Sequence, residues 1–295
     1  MANILIVDDI PANLQILNVH LSDEDYHVVE SSSGQKALEI LNQDPEGIDL
    51  ILLDVMMPVM SGLEVLAEIK KNPLTDNIPI ILITANADDD NVAEGLDMGA
   101  FDYIIKPYSL VVLLARVRTA LREKERQDLL EKWATTDPLT GLMNRRHFFE
   151  LADRELEQTR RSSRQLSFIM LDIDHFKQVN DNYGHLVGDA ALILLAELLK
   201  KQLRKVDFCG RYGGEEFVLC LPDTHMQGAL EVAERIRKDV LTLKIDSLEN
   251  KTISMSISLG IAENNEDKNV EDILKRADKA LYTAKHAGRN QSKTG

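Results

Sequence analysis

No apolar run in the 295-residue chain approaches the ~18 residues that a membrane-spanning helix needs, so an integral membrane protein is not expected. The N-terminus passes at once into Ile4-Leu5-Ile6-Val7, with no basic segment or small-residue cleavage site ahead of it. That pattern gives no sign of export, and residence in the cytoplasm is the expectation. Basic side chains are the minority: 34 Lys and Arg stand against 49 Asp and Glu, a net charge of -15. A nucleic-acid binder needs a basic patch matched to phosphates, so this class is excluded. Cysteine is scarce as well. Cys209 and Cys220 read as reduced, small core residues rather than a redox switch. They nevertheless flank Gly214 and Glu215 symmetrically, a placement that leaves room for them to face each other across a hairpin. Internal repeats and low-complexity tracts are lacking too.

What is there reads as two globular domains, since 44% hydrophobic and 28% charged residues are ordinary for a packed chain. The charge divides them. Residues 1–120 carry 20 acidic and 6 basic side chains, net -14, and the remainder carries 29 and 28, net -1. In the first 110 residues, apolar runs at Ile4–Val7, Tyr26–Val29, Ile48–Leu53, Ile78–Ile83 and Tyr103–Ile105 alternate with amphipathic segments. Runs this rich in Ile, Leu and Val suit parallel strands covered on both faces. Ser61-Gly-Leu-Glu64 reads as a capping box, and Gly99 suits the position past a helix end. The spacing predicts a doubly wound, five-stranded α/β domain with its site at the carboxyl ends of the strands. From Ser109 a helical pattern runs unbroken through Trp133, which predicts a stalk that can pair with its own copy.

Asp8 and Asp9 follow the first run, Asp54 closes the third, Thr84 the fourth, and Lys106 follows the fifth. Three carboxylates converging on one sheet edge repel one another unless a hard dication lies among them, which implies Mg²⁺. This constellation resembles the receiver domains of two-component response regulators over residues 1–120. The resemblance implies that Asp54 accepts phosphate from a histidine kinase, that Asp8, Asp9 and Asp54 hold the metal, and that Thr84, Tyr103 and Lys106 form the switch. Taken alone, Tyr103 fits ordinary packing at the sheet edge equally well.

Beyond Asp137-Pro138 a second alternation follows: helix 145–161, strand 166–173, helix 190–206, strands 208–212 and 217–221, helix 226–241, strand 254–261 and helix 270–286. This order predicts an α+β ferredoxin-like, nucleotidyl-cyclase-like domain over 137–295, joined to the first by a helical linker over 121–136. At Arg211-Tyr-Gly-Gly-Glu-Glu-Phe217 two glycines permit a tight turn with two acids at its tip. Leu171-Asp-Ile-Asp-His-Phe-Lys177 brings a strand to an end in alternating acids. If that strand neighbours the hairpin, Asp172 and Glu215 can share Mg²⁺. These motifs, the opening Asp137-Pro-Leu-Thr-Gly-Leu-Met-Asn-Arg-Arg146, and Ala277-Asp-Lys-Ala-Leu-Tyr-Thr-Ala-Lys-His-Ala-Gly-Arg-Asn290 stand in the order of the GGDEF diguanylate cyclases, in the GGEEF variant, which the chain resembles from about 137 to 290.

The resemblance implies a phosphorylation-controlled enzyme that joins two GTP into cyclic di-GMP and releases two diphosphates as a homodimer. Asp172, Glu215 and the Ile173 carbonyl would hold Mg²⁺ or Mn²⁺, and Glu216 would add charge there or deprotonate the attacking 3′-hydroxyl. Asn180 and Asp189 would read guanine. Lys177, Lys285 and Arg289 would hold phosphates, and Arg211 would stabilise transition-state charge; Arg211 and Lys285 also fit solvated surface charges. Arg204-Lys-Val-Asp207 matches the family's RxxD product-inhibition motif, with Arg235 as a further partner, although such a pattern also fits a helix-end salt bridge. The alternatives are a catalytically inactive cyclic di-GMP receptor, a cyclase making a hybrid cyclic GMP-AMP and a DNA-binding regulator. The intact acids disfavour the first and Asp189 the second. The third lacks a basic excess and a helix-turn-helix pattern. No phosphodiesterase segment is evident.

Overall fold

The computed structural model describes residues 1–85, 89–162, 164–246 and 252–295. The chain divides into two compact units, Met1–Leu130 and Glu131–Gly295.

The first unit runs β1 (Asn3–Val7), α1 (Pro11–Ser22), β2 (His27–Ser31), α2 (Gly34–Gln43), β3 (Leu50–Asp54), α3 (Gly62–Lys71), β4 (Ile80–Thr84), α4 (Asp89–Asp97), β5 (Asp102–Ile105) and most of α5 (Leu110–Thr135), whose last turn belongs to the second unit. Its strands form one parallel sheet in the order β2-β1-β3-β4-β5. Strand side chains alternate between two apolar layers, as the period of two requires. Leu5, Val7, Ile51 and Leu53 pack under α2 and α3, while Ile4, Ile6, Leu50 and Leu52 pack under α1 and α5. The capping box at Ser61 and Glu64 forms in both directions, and Gly99 follows α4 with φ 96°. Helix α5 is continuous over Leu110–Thr135, the span in which the sequence offers no breaker.

The second unit runs β6 (Met143–Asn144), α6 (Arg145–Ser162), β7 (Leu166–Ile173), α7 (Phe176–Tyr183), α8 (His185–Gln202), β8 (Phe208–Gly213), β9 (Glu216–Pro222), α9 (Met226–Val240), β10 (Ile245–Asp246), β11 (Thr252–Ile253), β12 (Ile257–Glu263), α10 (Val270–His286) and β13 (Ser292–Thr294). Its main sheet is ordered β13-β12-β7-β9-β8-β6. Each of the core strands β12, β7, β9 and β8 is antiparallel to its neighbour among them, the pairing of a ferredoxin-like sheet. One face carries α8 and α9 over Ile169, Leu171, Phe217 and Leu219. The other carries α6 and α10 over Phe168, Met170, Val218 and Cys220.

Three expectations change. The helix expected over 190–206 begins at His185 and ends at Gln202, so Arg204 and Asp207 lie in the loop beyond it. A separate short helix, α7, precedes it, and Gly184 at φ 85° makes the break between the two. The strand expected over 254–261 is displaced to Ile257–Glu263, and the Asp174 N–H to Ser256 carbonyl bond at 2.9 Å carries the β7–β12 register one residue beyond its start. Cys209 and Cys220 do not face each other. A bulge between Arg211 and Gly213 shifts the register so that Cys220 stands opposite Phe208. A shift of one residue reverses the side-chain face, and the two free, buried thiols lie in opposite apolar layers.

Candidate functional site

In the first unit the ends of β1, β3 and β5 bring Asp8, Asp54 and Lys106 together. Lys106 Nζ donates to Asp8 Oδ2 at 3.0 Å and to Asp54 Oδ2 at 3.1 Å. Oxygens of Asp8, Asp9 and Asp54 lie within 4.8 Å of one another, a hard-oxygen set of the kind Mg²⁺ favours. Asp8 is fixed by the Ile10 N–H at 2.8 Å and by the Asn13 amide at 2.9 and 3.0 Å. Asn13 escaped the sequence reading because its type carries no signal without the fold. Burial raises the Asp54 carboxyl above its usual range, and the Asp8 charge adds to this against the pull of Lys106. Burial works against the Lys106 charge, but bonds to Asp8 and Asp54 outweigh it and the ammonium is held more strongly than usual. Thr84 is buried at the end of β4. Tyr103 packs at the edge of the α2–α3 layer with the Arg116 guanidinium 5.8 Å from its ring centre.

In the second unit β7 and β9 are neighbours, and Asp172 stands directly opposite Glu216. Both belong to the α6–α10 face, where Lys285 Nζ of α10 reaches Asp172 Oδ2 at 2.7 Å. The two-residue turn Gly214-Glu215 joins β8 to β9, with Gly214 at φ 50°, a value that glycine adopts without a Cβ clash. Burial pushes the Asp172 carboxyl up to about 6, with Glu215 and Glu216 adding to the shift and Lys285 opposing it. Burial also raises Glu216, helped by Asp278 and Glu215 and opposed by Lys285 and Arg145. Crowded carboxylates with a single ammonium at hand suit a divalent cation, for which the sequence reading names Asp172, Glu215 and the Ile173 carbonyl. Among the described residues, only the Asp8, Asp9 and Asp54 group already brings three such oxygens together.

The remaining predicted residues lie on several elements. Asn180 lies on α7 and Asp189 on α8; a Cβ at Gly188 would come within 2.0 Å of Asn180 Oδ1, so this glycine lets the amide approach the helix beside Asp189. Lys177 and Arg289 are exposed. Arg211 is neither a free surface charge nor turned to Asp172. Its Nη1 donates to both oxygens of Asp137 at 3.1 and 3.2 Å and its Nε to the Gly214 carbonyl at 2.9 Å. Although burial opposes ionisation, bonds from Thr140 and Arg211 keep Asp137 below the ordinary range. Arg145 stacks 4.4 Å from the Tyr212 ring centre and shares a cavity of about 450 Å³ with Glu216 and Asp278; the sequence reading passed over it.

Arg204 and Asp207 close a turn. Asp207 Oδ2 accepts from the Arg204 N–H at 2.9 Å, and Asp207 Oδ1 is buried and accepts no hydrogen bond from the described residues. A groove of about 430 Å³ adjoins them, bounded by Thr136, Met143, Lys200 and Cys209. The helix-end salt bridge considered from sequence is therefore replaced by a loop turn. Arg235 grips the end of α8, donating to Gln202 Oε1 at 2.7 Å and to its carbonyl at 3.0 Å.

Comparison with known proteins agrees with both halves. Residues 134–291 match the family described as diguanylate cyclase, GGDEF domain, and residues 4–118 match the response regulator receiver domain. Response regulator PleD of Caulobacter vibrioides is 33% identical over 296 residues, covering 97% of this chain and 64% of that protein. The chain thus spans less than two thirds of that relative's length. Diguanylate cyclase DgcM of Escherichia coli is 38% identical over 187 residues, covering 63% of this chain and 45% of that one. Among solved structures, the coiled coil and GGDEF domain of DgcB from Caulobacter crescentus in complex with c-di-GMP is 30% identical with a TM-score of 0.58. That match covers 64% of this chain and all of the other.

Proposed function

The chain belongs to the GGDEF family of diguanylate cyclases and carries a response regulator receiver domain ahead of that module, and on this basis we propose that it converts two GTP into cyclic di-GMP and two diphosphates under control of Asp54 phosphorylation. The observation that carries the reading is the pairing of Asp172 with Glu216 across β7 and β9, with Lys285 on Asp172 beside the Gly-Gly turn. Glu216 takes the proton from the 3′-hydroxyl of one nucleotide, whose oxygen forms a bond to the α-phosphorus of the other while diphosphate leaves. Lys285, Lys177 and Arg289 hold the departing phosphates. Arg211 acts indirectly, by tying the signature turn to Asp137. Mg²⁺ or Mn²⁺, held by Asp172, Glu215 and the Ile173 carbonyl, supplies charge neutralisation when bound. Asn180 and Asp189 select guanine.

Each hydroxyl must attack the other nucleotide, so the ring closes only when two cyclase domains face each other. This makes the enzyme a homodimer on the proposed reaction, with α5 as the element that aligns the copies. In the receiver, Asp54 is the nucleophile toward a histidine kinase phosphoryl group. Asp8, Asp9 and Asp54 hold Mg²⁺, and Lys106, Thr84 and Tyr103 read the phosphorylated state. The unpaired Asp207 Oδ1 supports a ligand site at Arg204 and Asp207, with Arg235 beside the same loop, and product feedback is the use proposed for it.

The test is turnover of the purified protein with GTP and Mg²⁺, with and without beryllofluoride as a mimic of the acyl phosphate, with the product weighed by mass spectrometry. The expected result is cyclic di-GMP in both conditions, formed faster with the mimic. Tight binding of cyclic di-GMP without turnover in either condition would replace the enzyme by a receptor. Unchanged turnover and dimerisation with the mimic would remove the control scheme.

A further inference from the structure

Asp174 is a buried carboxylate that takes no part in the proposed chemistry. It is 6% exposed, and a charge so placed is strongly disfavoured unless its oxygens are hydrogen-bonded. Here they are. Oδ1 accepts from Ser258 Oγ at 2.6 Å, and Oδ2 accepts from Ser256 Oγ at 2.7 Å and from the Asn290 N–H at 3.0 Å. One carboxylate thereby joins the end of β7, the entry of β12 and the turn that follows α10.

That turn is conformationally demanding. Gly288, Arg289 and Asn290 have φ of 111°, 62° and 44° in succession. Left-handed backbone at residues other than glycine persists only where the surroundings over-determine it. From the side opposite Asp174, Arg237 Nη1 donates to Asn290 Oδ1 at 2.9 Å. Arg237 is itself gripped by Glu234, with Nη2 to Oε2 at 2.8 Å, and Glu234 accepts from Ser292 Oγ at 2.7 Å. The Arg289 N–H returns to the Ala284 carbonyl at 3.1 Å. Both ends of this latch adjoin the site: Asp174 follows Asp172 and Ile173, and the turn follows Lys285, whose ammonium lies on Asp172.

We propose that Asp174, Arg237 and Asn290 are positioning residues that lock the turn at 288–290 and so set Lys285 and Arg289 for the triphosphate of the incoming nucleotide. The proposal rests on the reading of those two cations as phosphate-binding groups.

Four variants of the full chain test it. Asn290→Gly removes the acceptor for Arg237 and keeps a residue at ease with positive φ. Arg237→Ala removes the donor, Asn290→Asp retains the acceptor, and Asp174→Asn breaks the latch from the buried side. For each, Tm, kcat and KM for GTP, and the Kd of a non-hydrolysable GTP analogue by calorimetry are measured. Asn290→Gly and Arg237→Ala are expected to raise KM and Kd about tenfold, the scale of lost supporting partners. Their kcat and Tm should stay close to wild type, and Asn290→Asp should recover KM. A role in folding alone would lower Tm and the active fraction without moving KM or Kd, and that pattern overturns the proposal. So does a Kd within about twofold of wild type in both Asn290→Gly and Arg237→Ala, because supporting partners of this kind are worth far more. A wild-type protein that binds the analogue yet makes no cyclic dinucleotide overturns the cyclase reading alone, and the Kd series still decides the latch.

Discussion

The receiver and the cyclase units each place carboxylates and a lysine at the ends of strands, but they do so in different states of completion. Parallel strands end side by side on one edge, so Asp8, Asp9 and Asp54 arrive together and Lys106 bridges two of them. Antiparallel β7 and β9 instead set Asp172 opposite Glu216, leave Glu215 in the turn, and give Lys285 to Asp172 alone. The first arrangement is closed within one copy of the chain. The second sets two acids across central strands of an antiparallel sheet and leaves the third in the turn.

Exchanging one charge in each site breaks this comparison most sharply. Asp172→Asn is expected to lower cyclic di-GMP formation by about 10³, the scale of losing a preorganised electrostatic group, while acyl-phosphate formation on Asp54 continues. Asp54→Asn is expected to abolish phosphorylation and the stimulation by beryllofluoride, a factor of about ten on the usual scale of coupling between sites, while basal turnover survives. Radiolabelled acetyl phosphate and product chromatography on the same samples check both. If basal turnover disappears with Asp54→Asn, the two sites are not independent.

A smaller effect concerns how each site is held. Arg211→Ala removes three hydrogen bonds that tie Asp137 and the Gly214 carbonyl together. It is expected to cost about 2 kcal/mol, typical of partly buried bonds to charged groups, read as a lowered urea midpoint for the second unit. Arg211→Lys recovers only part, since an ammonium cannot serve both partners in the same fork.

The smallest effect is in pH. The Asp172 carboxyl stands at about 6 in the folded protein, above its value in an unfolded chain. Between the two values the folded state retains a proton that the unfolded state has released. The contribution is therefore present at low pH and fades as pH rises through about 6. Thermal unfolding without Mg²⁺ between about pH 4 and 6, the window bounded by these values, should show a falling Tm that Asp172→Asn flattens.

The positions at strand ends were legible in the sequence, because Ile, Leu and Val runs mark β1, β3, β4 and β7, and Asp8, Asp54, Thr84 and Asp172 stand at or next to their ends. Helix α5 was legible for the same kind of reason, the want of a breaker from Ser109 to Pro138. The bulge at Tyr212 was not, since counting symmetrically from the turn assumes an unbroken ladder and so sets Cys209 opposite Cys220. The partners of Arg211 and Asp174 were hidden as well. Asp137 lies 74 residues from Arg211 and Asn290 lies 116 from Asp174, and no local pattern encodes such contacts.

The same bulge leaves the protein with one native thiol in each apolar layer of the cyclase sheet. Burial pushes Cys209 up to about 12 and Cys220 well above its usual value, so neither is alkylated until its surroundings open to solvent. Alkylation followed peptide by peptide would then time the opening of the α8–α9 face and of the α6–α10 face separately. A single unmodified chain carries its own pair of clocks, one on each side of the strands that hold Asp172 and Glu216.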